Sequence, residues 1–176
     1  VYLSMKKLFI TIVVLVALGG LGYYLYSSSP ASRFDLDASL TLVTEYNNSV
    51  YGFSLKMPGD YAAQEIPDPN TGAVTIVLQN KNGDGIQIVI SPFDEDPPAG
   101  GGGYTLTKER ILQDVPDLQV ADEQVVEVGS DYKGLAFKSN NEVFGGNSRE
   151  VWFVFRGNLY QISTYARLDP LLKAIF

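Results

Sequence analysis

The sequence predicts an α+β fold: a mostly antiparallel sheet packed by helices and preceded by one transmembrane helix. Three observations carry this expectation. Segments in which apolar and polar residues alternate recur from Tyr51 to Ala166, and a period of two is the mark of strands. Helical patterns are few and short, one after Thr105–Thr107 and one at the end. Residues 8–26 form an apolar run of membrane-spanning length. Strands, one helix, strands, one helix is an order suited to an antiparallel sheet rather than a doubly wound parallel one.

The elements follow in chain order. Lys6 and Lys7 precede the run that opens at Leu8. About 19 residues at 1.5 Å rise reach roughly 28 Å, the thickness of a bilayer's hydrocarbon. Tyr23, Tyr24 and Tyr26 close the run, where amphipathic rings prefer the membrane–water interface. The positive flank is expected to stay inside. Residues 1–7 are therefore read as a cytoplasmic N-terminus with its natural start at Met5, 8–26 as a signal anchor, and 27–39 as a polar linker. Residues 40–176 are read as a globular domain outside the cytoplasmic membrane. A cleaved signal peptide ending near Ser29-Pro30-Ala31 is the alternative, but its apolar core would be shorter and end in small residues.

Within the domain, Leu40 to Tyr46 reads as a first strand and Asn47-Asn48-Ser49 as its turn. Tyr51 to Met57 alternates and stops at Pro58-Gly59. Ala73–Gln79 and Gly85–Ser91 form a strand pair across Asn80-Lys81-Asn82-Gly83-Asp84. Pro92 to Gly103 is an acidic Pro/Gly loop. Thr105 or Thr107 caps a helix running to Val115, with Glu109 in its first turn and Pro116 beyond its end. Leu118–Val128 and Tyr132–Ser139 form another pair. The strongest signal is the hairpin Glu150 to Ala166, with Gly157-Asn158 as its turn. Its first strand is apolar on both faces, as a central strand covered on both sides should be, and Phe153 and Phe155 are expected to pack against a helix. Asp169 is expected to cap the last helix and Pro170 to start it.

Composition removes whole classes of function. The chain holds 13 Lys and Arg against 20 Asp and Glu, a net charge of −7. Such an acidic protein repels phosphate backbones, so no nucleic-acid partner is expected. It has no Cys and no His, which removes disulfides, Cys nucleophiles, Ser-His pairs and the usual zinc, haem and iron–sulfur ligand sets. No cofactor is expected. Two acidic stretches are candidate metal ligands. Asn80, Asn82 and Asp84 match the first half of a calcium loop, but Ser91 stands where a bidentate Glu should close it; a hairpin turn is the simpler reading. Asp94, Glu95 and Asp96 form the second cluster, read as a solvated loop. The sequence nominates no catalytic pair of carboxylates, and Glu150 beside Arg149 is read as a cross-strand surface pair. Trp152, Phe153, Phe155, Tyr160 and Tyr165 supply either core or a stacking platform.

The stretch Tyr51-Gly52-Phe53-Ser54-Leu55-Lys56-Met57-Pro58-Gly59-Asp60-Tyr61 resembles the opening of PsbP-like domains, Y-G-F-S-[FIL]-x-[YM]-P-x-[DG]-[WY]. Tyr61 stands where Trp is common. The resemblance extends over residues 40–176 in the order of elements and implies an αβα sandwich around a central antiparallel sheet. It also implies docking more than catalysis, since members include an extrinsic photosystem II subunit and a nuclear import factor that binds a small GTPase. Metal binding through His, suggested for the photosynthetic members, has no counterpart here. The functional expectation is a membrane-anchored, extracytoplasmic binding or accessory module with a protein partner and no enzymatic activity. A carboxylate-based cell-envelope hydrolase and a calcium-stabilised adhesion module are the alternatives.

Overall fold

A computed structural model describes residues 41–95, 104–129 and 132–176. The expected transmembrane helix 8–26, the linker 27–39, Asp96 and Gly100–Gly103 lie outside them. Among the described residues no helix is long and apolar enough to cross a membrane.

The domain is a mostly antiparallel sheet with two α-helices. The strands are β1 (Leu42–Asn48), β2 (Phe53–Pro58), β3 (Ala62–Pro67), β4 (Val74–Gln79), β5 (Gly85–Pro92), β6 (Ala121–Val128), β7 (Tyr132–Ser139), β8 (Ser148–Phe155) and β9 (Asn158–Tyr165). The helices are α1 (Lys108–Asp114) and α2 (Asp169–Ile175). Seven strands form one sheet in the order β3-β4-β5-β9-β8-β7-β6, while β1 and β2 pair only with each other. The central pair β9–β8 is the expected hairpin. Along β8, Val151 and Phe153 join one core and Trp152 the other, so the strand is covered on both sides.

The two faces are closed differently. On one, Val74, Ile76 and Leu78 of β4 and Ile86, Ile88 and Ile90 of β5 meet Leu55 and Met57 of the β1–β2 ribbon and Leu171 and Leu172 of α2. On the other, Ile111 of α1 packs with Leu135, Phe137, Trp152 and Leu159. Thr107 caps α1, its Oγ1 accepting from the Arg110 amide at 3.3 Å.

The structure corrects several expectations. β1 runs on through Asn47 and Asn48, expected in the turn after it, and the turn falls at residues 49–52. The strand β3 is an element the sequence pattern does not mark: its side chains are largely exposed, so it lacks apolar alternation, and it forms by ladder pairing to β4 at the sheet's edge. Phe155 faces Asn158 in the β8–β9 register, so the turn is Arg156-Gly157, one residue earlier than expected. Both turn residues have positive φ, 49° at Arg156 and 71° at Gly157, as the twist of a two-residue hairpin loop requires. Asp169 does not cap α2. It lies inside the first turn and reaches Lys173 at 2.6 Å and Arg149 at 3.1 Å. Nor is Glu150 a surface partner of Arg149, because neighbours on a strand point to opposite faces. Glu150 is 1% exposed, and Arg149 turns to Asp169.

Candidate functional site

The expected metal ligands are already occupied or apart. Asn80 Oδ1 accepts the backbone amides of Asn82 at 2.9 Å and Asp84 at 3.1 Å, which makes the loop a self-bonded turn between β4 and β5. Asp84 is buried and pairs with Arg167 of the segment between β9 and α2. Glu95 accepts from Arg110 Nε at 2.6 Å and from the Tyr104 hydroxyl, and these donors hold its carboxyl below the usual range. Asp94 is exposed. The two groups therefore sit at separate places, and among the described residues no set of three acidic side chains converges on a point.

Glu150 is the buried carboxylate that sequence reading missed. One oxygen lies within hydrogen-bond distance of Ser148 (2.8 Å), Ser139 (3.0 Å) and Asn141 (3.3 Å). The other accepts from Trp152 Nε1 at 3.3 Å and from Ser163. These partners are all neutral, and no Lys or Arg among the described residues pairs with Glu150. Period-two alternation places Glu150 with Ser148 and Trp152 on one face, which is the signal that would have found the network. Enclosed and saturated with donors, it joins three strands and is not presented to a substrate.

Two concavities stand out among the described residues. A polar groove of about 400 Å³ lies between β6 and α2. Its carboxylates are matched to cations: Asp122 to Lys138 at 2.7 Å, Glu123 to Lys108 at 3.4 Å, and Asp169 to Lys173 and Arg149. Lys138 holds the Asp122 carboxyl below the usual range, the opposite of what a general acid needs. Among the described residues the groove thus has neither a free carboxylate to bind with nor an acid poised to act.

The second concavity, of about 370 Å³, opens between the β1–β2 ribbon, the sheet and the end of α2. Its floor comes from Phe153 and Phe155 of β8 and Tyr160 and Ile162 of β9, with Phe53 of β2 and Tyr132 of β7 on its sides. Among the described residues no charged side chain lines it. The rings brace one another. Tyr160 is stacked on Phe153 at 4.9 Å, Phe53 meets Tyr160 edge-on at 6.0 Å, and Tyr132 meets Phe155 edge-on at 4.8 Å. Tyr160 is 3% exposed, yet its hydroxyl has no hydrogen-bond partner. Burial, and then the nearby Tyr51, push that hydroxyl up to about 12.

The expected aromatic set is thereby divided. Phe153, Phe155 and Tyr160 share this cavity. Trp152 lies on the far side of the sheet against Phe137 at 5.7 Å, and Tyr165 packs on Phe144 at 5.2 Å. The cavity lies on the face that α2 covers, where the ribbon and helix stop short of each other.

Among solved structures, the chain is similar to the solution structure of cyanobacterial PsbP (CyanoP) from Synechocystis sp. PCC 6803, with 11% identity and a TM-score of 0.49. The match covers 84% of this chain and 92% of that one. No family model and no curated protein match the sequence.

Proposed function

We propose that this protein is a membrane-anchored, extracytoplasmic binding module of PsbP-like αβα architecture, whose binding element is the aromatic cavity beneath the β1–β2 ribbon. The observation that carries the reading is the cavity itself. It is a largely apolar, ring-lined space, the usual makeup of a small-ligand site. The architecture is supported by the Tyr51–Tyr61 motif and by the two helices packing on opposite faces of the sheet. The anchor is supported by the apolar run 8–26 behind Lys6 and Lys7.

The reading is tested in two ways. External protease should digest the domain in cells whose outer layers are permeabilised, while a mature chain beginning near Ser32 would replace the anchor with a signal peptide. A neutral aromatic such as phenylpropanol, at ten times its Kd, should stabilise the fold by about 1.4 kcal/mol. That is about 5 °C in Tm for a domain of roughly 140 residues. An unchanged Tm up to the solubility limit would count against the cavity.

A further inference from the structure

We propose that the cavity takes the apolar body of a small organic carboxylate whose anionic head is held by Arg156. The inference rests on the cavity being the binding site and adds the chemistry of its occupant. Arg156 stands at the rim. Its guanidinium carbon lies 5.0 Å from the centre of the Phe155 ring, and Phe155 lines the cavity. Its Nη1 also closes over Gly52, another lining residue, where an added Cβ would stand 2.8 Å from it. Gly52, at a φ of 70°, thus supplies both the turn into β2 and the space that lets the arginine approach.

Two further features set Arg156 apart. Arg110, Arg149 and Arg167 each face a carboxylate, but among the described residues no carboxylate pairs with Arg156. In a chain of net charge −7 a guanidinium with no carboxylate partner among the described residues is unusual, and it is exposed, its planar fork of a shape to take a bidentate anion. It also occupies a turn position of φ 49°, where Asn or Gly is the ordinary choice and Arg is the less favoured one. Behind it, among the described residues, the cavity wall is uncharged and largely aromatic. At about 30 Å³ per water, the space holds about a dozen waters, which sets the ligand at about a dozen non-hydrogen atoms.

The test uses the full chain in lipid nanodiscs, with empty nanodiscs as the blank. Calorimetric titrations compare phenylbutyrate with its neutral isostere phenylbutyramide. The carboxylate should bind about tenfold tighter than the amide, as a charge-assisted pair at a partly exposed rim would give. High salt should narrow that gap. Arg156→Asn, which suits the positive φ and so keeps the turn, should bring the two ligands to about equal affinity by weakening the carboxylate alone. Arg156→Lys should restore part of the preference. Equal affinity in the wild type, or a preference that survives Arg156→Asn, would overturn the assignment of the anion to Arg156 while leaving the cavity as a site. Binding of neither ligand would overturn the cavity reading and this inference with it.

Discussion

Replacing Tyr160 by Phe should make the protein more stable. The hydroxyl is buried and unpartnered, and leaving such a group without a hydrogen bond costs about 1–3 kcal/mol. Phe keeps the stacking on Phe153 and the edge contact with Phe53, so deletion of the oxygen recovers that cost without loss of packing. For a domain of roughly 140 residues the gain corresponds to about 3–10 °C in Tm. Alkaline pH should enlarge it. Burial holds the folded-state hydroxyl at about 12, against about 10 for an ordinary tyrosine. Above pH 10 the unfolded chain releases the proton and the folded one does not. Wild-type stability therefore falls by about 1.4 kcal/mol per pH unit from this group up to pH 12, a loss the Phe variant escapes. The assay is thermal unfolding of both proteins at neutral pH and between pH 10 and 11.5. A Tm for Tyr160→Phe at or below wild type, or an advantage that does not widen with pH, would show that the hydroxyl has a partner.

Three other outcomes are expected. Glu150→Ala leaves three hydroxyls, the Trp152 indole and the Asn141 amide short of their acceptor, and should cost about 3 kcal/mol or more in chemical denaturation; Glu150→Gln, which retains one acceptor oxygen, should cost less. Phe153→Ala opens a hole in the core that also holds Leu171 and Leu172 of α2, and should cost about 3–5 kcal/mol; melting within a degree or two of wild type would contradict its placement. Calcium at about 1 mM against chelator should leave Tm unchanged, since Asp84 faces Arg167 and Asn80 Oδ1 is bonded to its own loop, and extracellular-type sites lacking a strong ligand are this weak or weaker. A shift of several degrees abolished by Asp84→Ala would instead favour the calcium-stabilised adhesion module.

Much of the fold was legible because its core strands bury alternate residues in a simple pattern. β7 has the bounds read from the sequence, and the Thr107 cap and the central hairpin were visible from turn and capping residues. β3 was not legible, because an exposed edge strand has no buried face to impose a period, and its pairing with β4 depends on a neighbour's ladder. The separation of β1 and β2 from the main sheet was also hidden, since the alternation of Tyr51 to Met57 says that a strand has a buried face but not which strand it joins. The candidate site was half legible. Its rings were named as a possible platform, but alternation alone could not say that Phe153, Phe155 and Tyr160 share a gap while Trp152 is sealed beneath α1. Arg156 escaped notice because a basic residue at a positive-φ turn position runs against local preference.

The most direct measurement of the central claim is an aromatic-region NMR titration of Phe-, Tyr- and Trp-labelled protein with phenylbutyramide, whose neutrality isolates the cavity from the cation at its rim. The ring signals of Phe155 and Tyr160 should shift together along one binding curve. The Trp152 indole, packed against Phe137 on the opposite face of the sheet, should stay in place. Movement of Trp152 with Phe155 and Tyr160 unmoved, or no movement of any ring at saturating ligand, would contradict the claim that the cavity beneath the β1–β2 ribbon is where this protein binds.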